Sequence, residues 1–133
     1  MNQLNSNSPT KRRIIAFRVV TVILIVGMLA GGFSTIFRME AQVTVFKHLG
    51  YPLFLMTIIG ISKILAAIVL AIPGIPLLKI SAYTGTFIVS VCALISHIQA
   101  GDELLAVLNP LILTTITLLA LALNPWIRVT YSK

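Results

Sequence analysis

Lys63 is the residue whose position most needs a chemical explanation. It lies near the centre of an apolar stretch, 51–72, and is the only charged residue in it. At about 1.5 Å of rise per residue, a helix of that length crosses a hydrocarbon core of about 30 Å. A lysine at that depth costs a few kcal/mol unless another group offsets it. Two interpretations stay open. Lys63 binds an anionic or quinone-like group or relays a proton, or it extends to a lipid headgroup or to backbone carbonyls.

A polar stripe recurs at helical spacing along a second apolar stretch, 80–98. It consists of Tyr83, Thr86, Ser90 and His97. If this stretch packs antiparallel to 51–72, Lys63 lies at a depth between Thr86 and Ser90. We therefore expect a polar pocket inside the membrane that contains Lys63 and this stripe. The alternative is that the hydroxyl groups bond to the backbone of their own helix, as Ser and Thr often do in membrane helices.

His97 and Asp102 form a further candidate at the end of the same stretch. Asp102 follows His97 closely in the chain, in a short polar loop. An imidazole beside a carboxylate can move protons at a membrane surface. The alternative is a plain interfacial histidine. No metal site is predicted, because His48, His97 and the acidic residues match no recognised metal-ligand spacing.

Small residues predict where the spans pack, because they let membrane helices approach closely. One pair forms a GxxxG motif, which marks either a packing face or a chance pair. A second pair lies on the face of 51–72 that is next to Lys63, and a third lies on a small-residue face of 80–98. These predicted packing residues are Gly27 and Gly31, Gly60 and Ala67, and Gly85 and Cys92.

Long apolar helices must position these residues. Of the 133 residues, 58% are hydrophobic and 10% are charged, whereas a soluble domain has about 25% charged residues. Four spans are predicted at 14–37, 51–72, 80–98 and 104–124, with a short interfacial helix within 38–50. The predicted fold is an all-α membrane protein, a four-helix transmembrane bundle. It forms one domain, 14–128, between a disordered basic tail, 1–13, and a C-terminal tail, 129–133.

Composition also argues against several functional classes. The net charge of +7 does not indicate nucleic-acid binding, because the basic residues lie at the ends of apolar segments, where they set topology and contact anionic lipid. Cys92 is the single cysteine, which disfavours a dithiol oxidoreductase. No acidic residue lies inside a predicted span, which disfavours a proton-driven small multidrug transporter.

The distribution of Lys and Arg predicts the orientation. Four spans place both termini and the loop after 51–72 on one side, and this side has seven basic residues against two on the other. All three acidic residues are on the side that has only two basic residues. The positive-inside rule then predicts a bacterial inner-membrane protein with cytoplasmic termini.

The order and spacing of several short motifs resemble the DoxX-like family of small bacterial membrane proteins. The resemblance covers nearly all of residues 20–128 and includes Gly50-Tyr51-Pro52, Gly60 with Lys63, Ala82-Tyr83 with Gly85, Ser96-His97 and Gly101-Asp102. It implies a four-helix membrane bundle, and some relatives are linked to quinone-coupled sulfur oxidation or to other redox systems. Lys63, Tyr83, His97 and Asp102 are the family-matching site residues. Members often have an acid where this chain has Val89.

The resulting hypothesis is a membrane subunit or accessory of a quinone-linked redox system. In this hypothesis the pocket around Lys63 takes a quinone headgroup or a small anion. No other cofactor is evident, and the expected partners are the lipid bilayer and either a redox partner protein or further copies of the chain. The main alternative is a non-catalytic scaffold or assembly factor in which Lys63 only organises the bundle. A small-solute permease is a third and less favoured class.

Overall fold

The computed structural model describes residues 10–125 and 127, and this part of the chain is helical with no strand. Four of its helices are long and apolar enough to cross a membrane, which confirms the predicted all-α membrane fold. The predicted short helix between the first two spans is also present. The helices are α1 (Lys11–Ile36), α2 (Glu40–His48), α3 (Phe54–Ala71), α4 (Pro76–Gln99) and α5 (Leu104–Leu123).

The first helix begins earlier than predicted. Helix α1 starts at Lys11, so residues 11–13 are helical and do not belong to a disordered tail. The reason is a tertiary contact. Arg13 donates from Nη2 to the carbonyl of Ala122 at 2.9 Å and from Nε to that of Leu123 at 3.2 Å, which satisfies two carbonyls at the end of α5. The rest of the predicted N-terminal tail and the C-terminal tail, 129–133, lie outside the described residues.

The four long helices form a closed ring in the order α1, α3, α4, α5, and α1 packs most extensively against α3. The buried apolar cluster of the bundle lies toward the end where α1 begins. It consists of Leu24, Met28, Ala67, Leu70, Tyr83 and Ala120. The other end of the bundle carries α2, residues 49–53 and the α4–α5 loop, residues 100–103, and is called the α2 end below.

Gly32 and Gly60 form the closest contact between α1 and α3. A Cβ on Gly60 would lie 2.5 Å from Cγ1 of Ile36 and 3.0 Å from the carbonyl oxygen of Gly32. Gly60 is therefore a packing glycine, and Ala67 is buried on the same helix. The predicted role of Gly27 is not found, since a Cβ there would meet nothing within 4 Å. Helix α1 therefore makes its close contact with α3 at Gly32 and not at Gly27.

Helix α4 points its polar stripe inward, whereas Gly85 and Cys92, which were predicted to pack, are both exposed. Its buried residues are Tyr83, Thr86, Ser90 and His97. A Cβ on Gly85 would meet no atom within 4 Å, and Cys92 is exposed. The physical reason is that lipid solvates glycine and cysteine at little cost, whereas hydroxyl and imidazole groups need polar partners inside the protein.

Candidate functional site

A cavity of about 500 Å³ occupies the α2 end of the bundle, between α2, α3, α4 and α5. On α3 the cavity is lined by Leu55, Ile59 and Lys63, which are spaced four residues apart and lie on one face of the helix. The facing walls are formed by 88–97 of α4 and 105–113 of α5. The apolar cluster fills the bundle at its opposite end. The cavity therefore lies in the half of the bundle nearer α2, and Lys63 is its deepest charged residue on α3. We call it the Lys63 cavity.

Lys63 lies nine residues after the start of α3 at Phe54, roughly 14 Å along the helix axis. Its side chain is half-buried, and Nζ lies 3.6 Å from the position that a Cβ on Gly31 would occupy. The absence of a side chain at Gly31 thus leaves space for the ammonium. Within residues 10–125 no hydrogen bond or ion pair holds Lys63. Its ammonium is therefore available to a group inside the cavity.

The predicted polar pocket is present only in part. Ser90 and His97 line the Lys63 cavity together with Lys63. Ser90 donates its hydroxyl to the carbonyl of Phe87 at 2.9 Å, which matches the alternative in which Ser bonds its own helix. Ser90 therefore adds a polar surface to the wall but does not hold the ammonium.

Tyr83 and Thr86 belong to the core and not to the Lys63 cavity. The hydroxyl of Tyr83 lies 3.4 Å from that of Thr21 on α1. Thr86 donates to Sδ of Met28 at 3.8 Å. Both contacts cross the bundle from α4 to α1. Thr86 lies one turn and Tyr83 two turns from Ser90, toward the end of the bundle that the apolar cluster fills. We call this the closed end. Neither Tyr83 nor Thr86 is among the residues that line the Lys63 cavity.

Three polar residues of the cavity were missed by the sequence reasoning: Asn109 on α5, Gln42 on α2, and Tyr51 before α3. Asn109 stands next to Pro110, which continues α5 but has no N–H to donate to the carbonyl of Ala106. Asn109 makes no side-chain hydrogen bond within the described part of the chain. The available signal was a lone amide inside an otherwise apolar span.

A glycine turn places Asp102 against His97. Helix α4 ends at Gln99 with Ala100 as its C-cap, and Gly101 takes a left-handed conformation with φ of 71°. The N–H of Asp102 then bonds back to the carbonyl of His97 at 3.1 Å, the six-to-one bond of a Schellman motif. The carboxylate accepts a hydrogen bond from Nδ1 of His97 at 2.6 Å. The predicted pairing of this imidazole and carboxylate therefore has a local backbone cause.

The same motif ends α2 and positions Tyr51. Gly50 has φ of 76°, and the N–H of Tyr51 bonds to the carbonyl of Phe46 at 2.8 Å. The two aromatic rings lie 6.0 Å apart between centroids, the apolar contact that accompanies such a turn. The hydroxyl of Tyr51 bonds to that of Ser96 on α4. Helix α2 is therefore fixed to α4 at the mouth of the Lys63 cavity.

His48, at the end of α2, is the third member of the cluster. Its Nε2 bonds to Oδ1 of Asp102, while His97 bonds to Oδ2. The side chains of His97, Asp102 and His48 are 10%, 11% and 54% exposed. This arrangement was not predicted for His48, because 54 residues separate it from Asp102 and no spacing signal links them. We call these three residues the His-Asp-His cluster.

The comparisons with known proteins bear on this arrangement of helices and polar groups. A family model described as the DoxX-like family matches residues 19–120, which is well over half of the chain. The chain belongs to the DoxX-like family. No curated protein and no solved structure matches it. The match includes all of α2, α3 and α4, and therefore every member of the His-Asp-His cluster and Lys63.

The family-matching residues of this DoxX-like chain have different surroundings. Lys63 and His97 line the Lys63 cavity, and Asp102 bonds to His97 from the adjacent loop. Tyr83 packs in the core cluster. Lys63, His97 and Asp102 thus belong to one connected region at the α2 end. Tyr83 lies at the closed end.

The electrostatics of the His-Asp-His cluster favour an ionised carboxylate. The hydrogen bond from His97 and then that from His48 hold the pKa of Asp102 below its ordinary value, because both stabilise the charged form. The cluster can therefore orient two imidazole rings and exchange protons with them. Among the described residues, no group of three or more His, Cys, Asp or Glu side chains is suited to hold a metal ion.

Proposed function

We propose that this DoxX-like chain is a membrane subunit or accessory of a quinone-linked redox system and that the Lys63 cavity binds the quinone headgroup. The observation that carries the proposal is Lys63, which lines a cavity of about 500 Å³ and whose ammonium has no hydrogen-bond partner in the described chain. That volume is within the range of about 300–1,000 Å³ found for ligand sites. A bound acceptor group would offset the cost of placing the charge at this depth.

The lining matches a quinone in chemical type. Most of the wall is apolar, and the polar groups with a hydrogen available to donate include the ammonium of Lys63 and the amides of Asn109 and Gln42. No acidic residue is among the lining residues of the described chain. A quinone presents two carbonyl acceptors on an apolar ring, and its isoprenoid tail is soluble in the bilayer. Donors at separate points of an apolar wall suit such a ring.

The second candidate is a non-catalytic scaffold or assembly factor. The observation that favours it is the exposed surface of α4 around Gly85, where an added Cβ would meet no atom within 4 Å. Small residues allow close approach by a further membrane helix, from a redox partner or from another copy of the chain. In that case Lys63 would matter for bundle stability and not for ligand binding.

The proposed location is the bacterial inner membrane, with the α2 end at the periplasmic side and both termini in the cytoplasm. Of the described basic residues, Lys11, Arg12, Arg13, Arg18 and Lys79 lie toward the opposite end. Glu40, Asp102 and Glu103 all lie at the α2 end, with Arg38 and Lys47. A reporter fused after Lys133 should be active only in the cytoplasm. Periplasmic activity would reverse the orientation.

The test of quinone binding is Lys63→Met in the full chain, with Lys79→Met as the matched control. Lys79 lies on α4 and does not line the cavity. We expect Lys63→Met to weaken binding of a short-chain ubiquinone at least about tenfold, which corresponds to about 1.4 kcal/mol. Lys79→Met should bind as the wild type does. Calorimetric titration in detergent micelles measures the affinity, and thermal unfolding checks the fold.

The outcomes separate the two candidates. Loss of binding with an unchanged unfolding midpoint supports the quinone site. Lower stability of Lys63→Met with unchanged binding supports the scaffold, and so does a wild-type chain that binds no ubiquinone at all.

A further inference from the structure

The His-Asp-His cluster connects the Lys63 cavity with the molecular surface. His97 is part of the cavity wall and its side chain is only 10% exposed, whereas that of His48 is 54% exposed. Asp102 bonds to both rings through its two different oxygens. Three titratable groups therefore form an unbroken hydrogen-bonded line from a buried wall to the surface at the α2 end.

We propose that His97, Asp102 and His48 form a proton path between the Lys63 cavity and the aqueous surface at the α2 end. The identity of the proton donor or acceptor in the cavity rests on the proposed function, in which it is a quinone. The path itself rests on the geometry of the three side chains. It gives the His-Asp-His cluster a role in proton transfer in addition to fixing α2 to the α4–α5 loop.

The bonding of His97 leaves the required nitrogen available. Nδ1 is bonded to Asp102, and Nε2 has no hydrogen bond within the described chain. In the tautomer that carries its proton on Nδ1, the ring accepts a proton at Nε2. The carboxylate of Asp102 stabilises the imidazolium that results.

The outward transfer can be written atom by atom. A quinol hydroxyl O–H bond breaks as an N–H bond forms at Nε2 of His97, and the proton on Nδ1 moves to Oδ2 of Asp102. Once Asp102 is protonated, the exposed ring of His48 exchanges through water from the tautomer protonated on Nε2 to the one protonated on Nδ1. Rotation of the carboxyl group about its Cβ–Cγ bond then presents the Asp102 proton to the vacated Nε2 of His48. His48 then releases its Nδ1 proton to water. After each passage His97 returns from the tautomer protonated on Nε2 to the one protonated on Nδ1 by proton exchange with water in the cavity. Two such cycles, with two electrons passed to an electron-accepting redox protein, convert the quinol to the quinone.

The other end of the bundle offers no comparable route in the described residues. The core cluster fills the space between the helices there, and the polar contacts of Tyr83 and Thr86 are enclosed with it. Protons of a ligand in the cavity therefore exchange with water through the α2 end. This conclusion does not depend on which ligand is bound.

The charged and titratable neighbours of the path are few. Lys63 on α3 lines the same cavity, and Tyr51, which precedes α3, bonds to Ser96 on α4. Helix α5 contributes only the neutral Asn109 as a polar side chain of the described lining. Lys47 and Glu103 adjoin His48 and Asp102 in the sequence and are exposed. Glu103 thus provides an acidic control position next to the path.

The first test needs no ligand. Exchange of the ring protons of His97 with water is measured by NMR on the full chain, labelled with ¹⁵N-histidine, in detergent micelles. We expect Asp102→Asn to slow this exchange at least about tenfold and Glu103→Gln to leave it unchanged. His48→Gln keeps Asp102 in place and should also slow it. Unchanged exchange in both Asp102→Asn and His48→Gln overturns the path.

A second measurement tests whether the path serves a quinone. Short-chain ubiquinone bound to the full chain is reduced with dithionite, and the loss of quinone absorbance is followed. We expect His97→Gln to slow reduction at least about tenfold with little change in ubiquinone affinity, and added imidazole to restore part of the rate. A purely structural role predicts no rescue. If the wild type binds no ubiquinone, the proposed function fails, while the exchange measurement still decides the path.

Discussion

The ammonium of Lys63 occupies space that Gly31 leaves open. Nζ lies 3.6 Å from the position of a Cβ on Gly31, and Cδ lies 3.9 Å from it. Helix α1 therefore shapes the surroundings of the only charged side chain of the cavity although none of its residues is among those that line it. The GxxxG motif in α1 thus has one glycine beside Lys63 and one, Gly27, with no neighbour within 4 Å.

Gly31→Ala is expected to weaken ubiquinone binding while leaving the fold intact. The added methyl would be at an ordinary contact distance from the ammonium, so it fits but removes space in which the ammonium can meet a ligand. We expect a loss of about fivefold in affinity, or about 1 kcal/mol. Gly27→Ala is the matched control on the same helix and should bind normally. Calorimetric titration measures both, and equal affinities would contradict the role of Gly31.

Gly60→Ala is expected to destabilise the bundle. Its Cβ would lie 2.5 Å from a side-chain atom of Ile36 and 3.0 Å from the carbonyl of Gly32, so α1 and α3 must move apart. Overpacking of this kind costs about 1–3 kcal/mol. Gly85→Ala, in open space on α4, should unfold at the same temperature as the wild type or slightly higher. Thermal unfolding in one detergent compares them. A stable Gly60→Ala chain would mean that this contact is looser than the structure shows.

The contribution of Asp102 to stability should disappear in acid. The hydrogen bonds from His97 and His48 lower its pKa in the folded chain, so the unfolded chain binds its proton more tightly. The contribution is therefore fully present above the ordinary aspartate pKa of about 3.9 and is lost as the pH falls through the lower, folded value. The unfolding midpoints of the wild type and Asp102→Asn should differ at pH 7 and converge below about pH 4.

Glu103→Gln is the control for that titration. Glu103 is exposed, and its side chain makes no hydrogen bond or ion pair within residues 10–125. Its midpoint should follow the wild type at every pH. A gap between the wild type and Asp102→Asn that does not narrow as the pH falls below about 4 would show that another property of the carboxylate stabilises the loop.

The membrane fold was predictable because it depends on properties that are local in the chain. Apolar length determines which segments can span a membrane, and Gly101 stops α4 by its own backbone conformation. The pairing of His97 with Asp102 is of the same kind, because a Schellman turn brings together residues only five positions apart. These features required no knowledge of how the helices pack.

The failures concern the rotation and register of one helix against another. Small residues on α4 were expected to pack, but a Cβ on Gly85 would meet no atom within 4 Å and Cys92 lines the Lys63 cavity. In lipid, burying an apolar face gains little, so apolarity does not distinguish the inner from the outer face of a membrane helix. The polar stripe identified the inner face of α4 correctly. It did not reveal that Tyr83 and Thr86 lie at the closed end of the bundle, away from the Lys63 cavity.

The sequence by itself determined the helices, their membrane character and the family, since span length, turn glycines and motif spacing are all local quantities. Only the tertiary structure decided that Gly32 and not Gly27 meets α3, that Lys63 opens to a cavity, and that His48 joins Asp102 from 54 residues away. These three features depend on the relative rotation and depth of separate helices. Close packing determines both, and it depends on all the helices together.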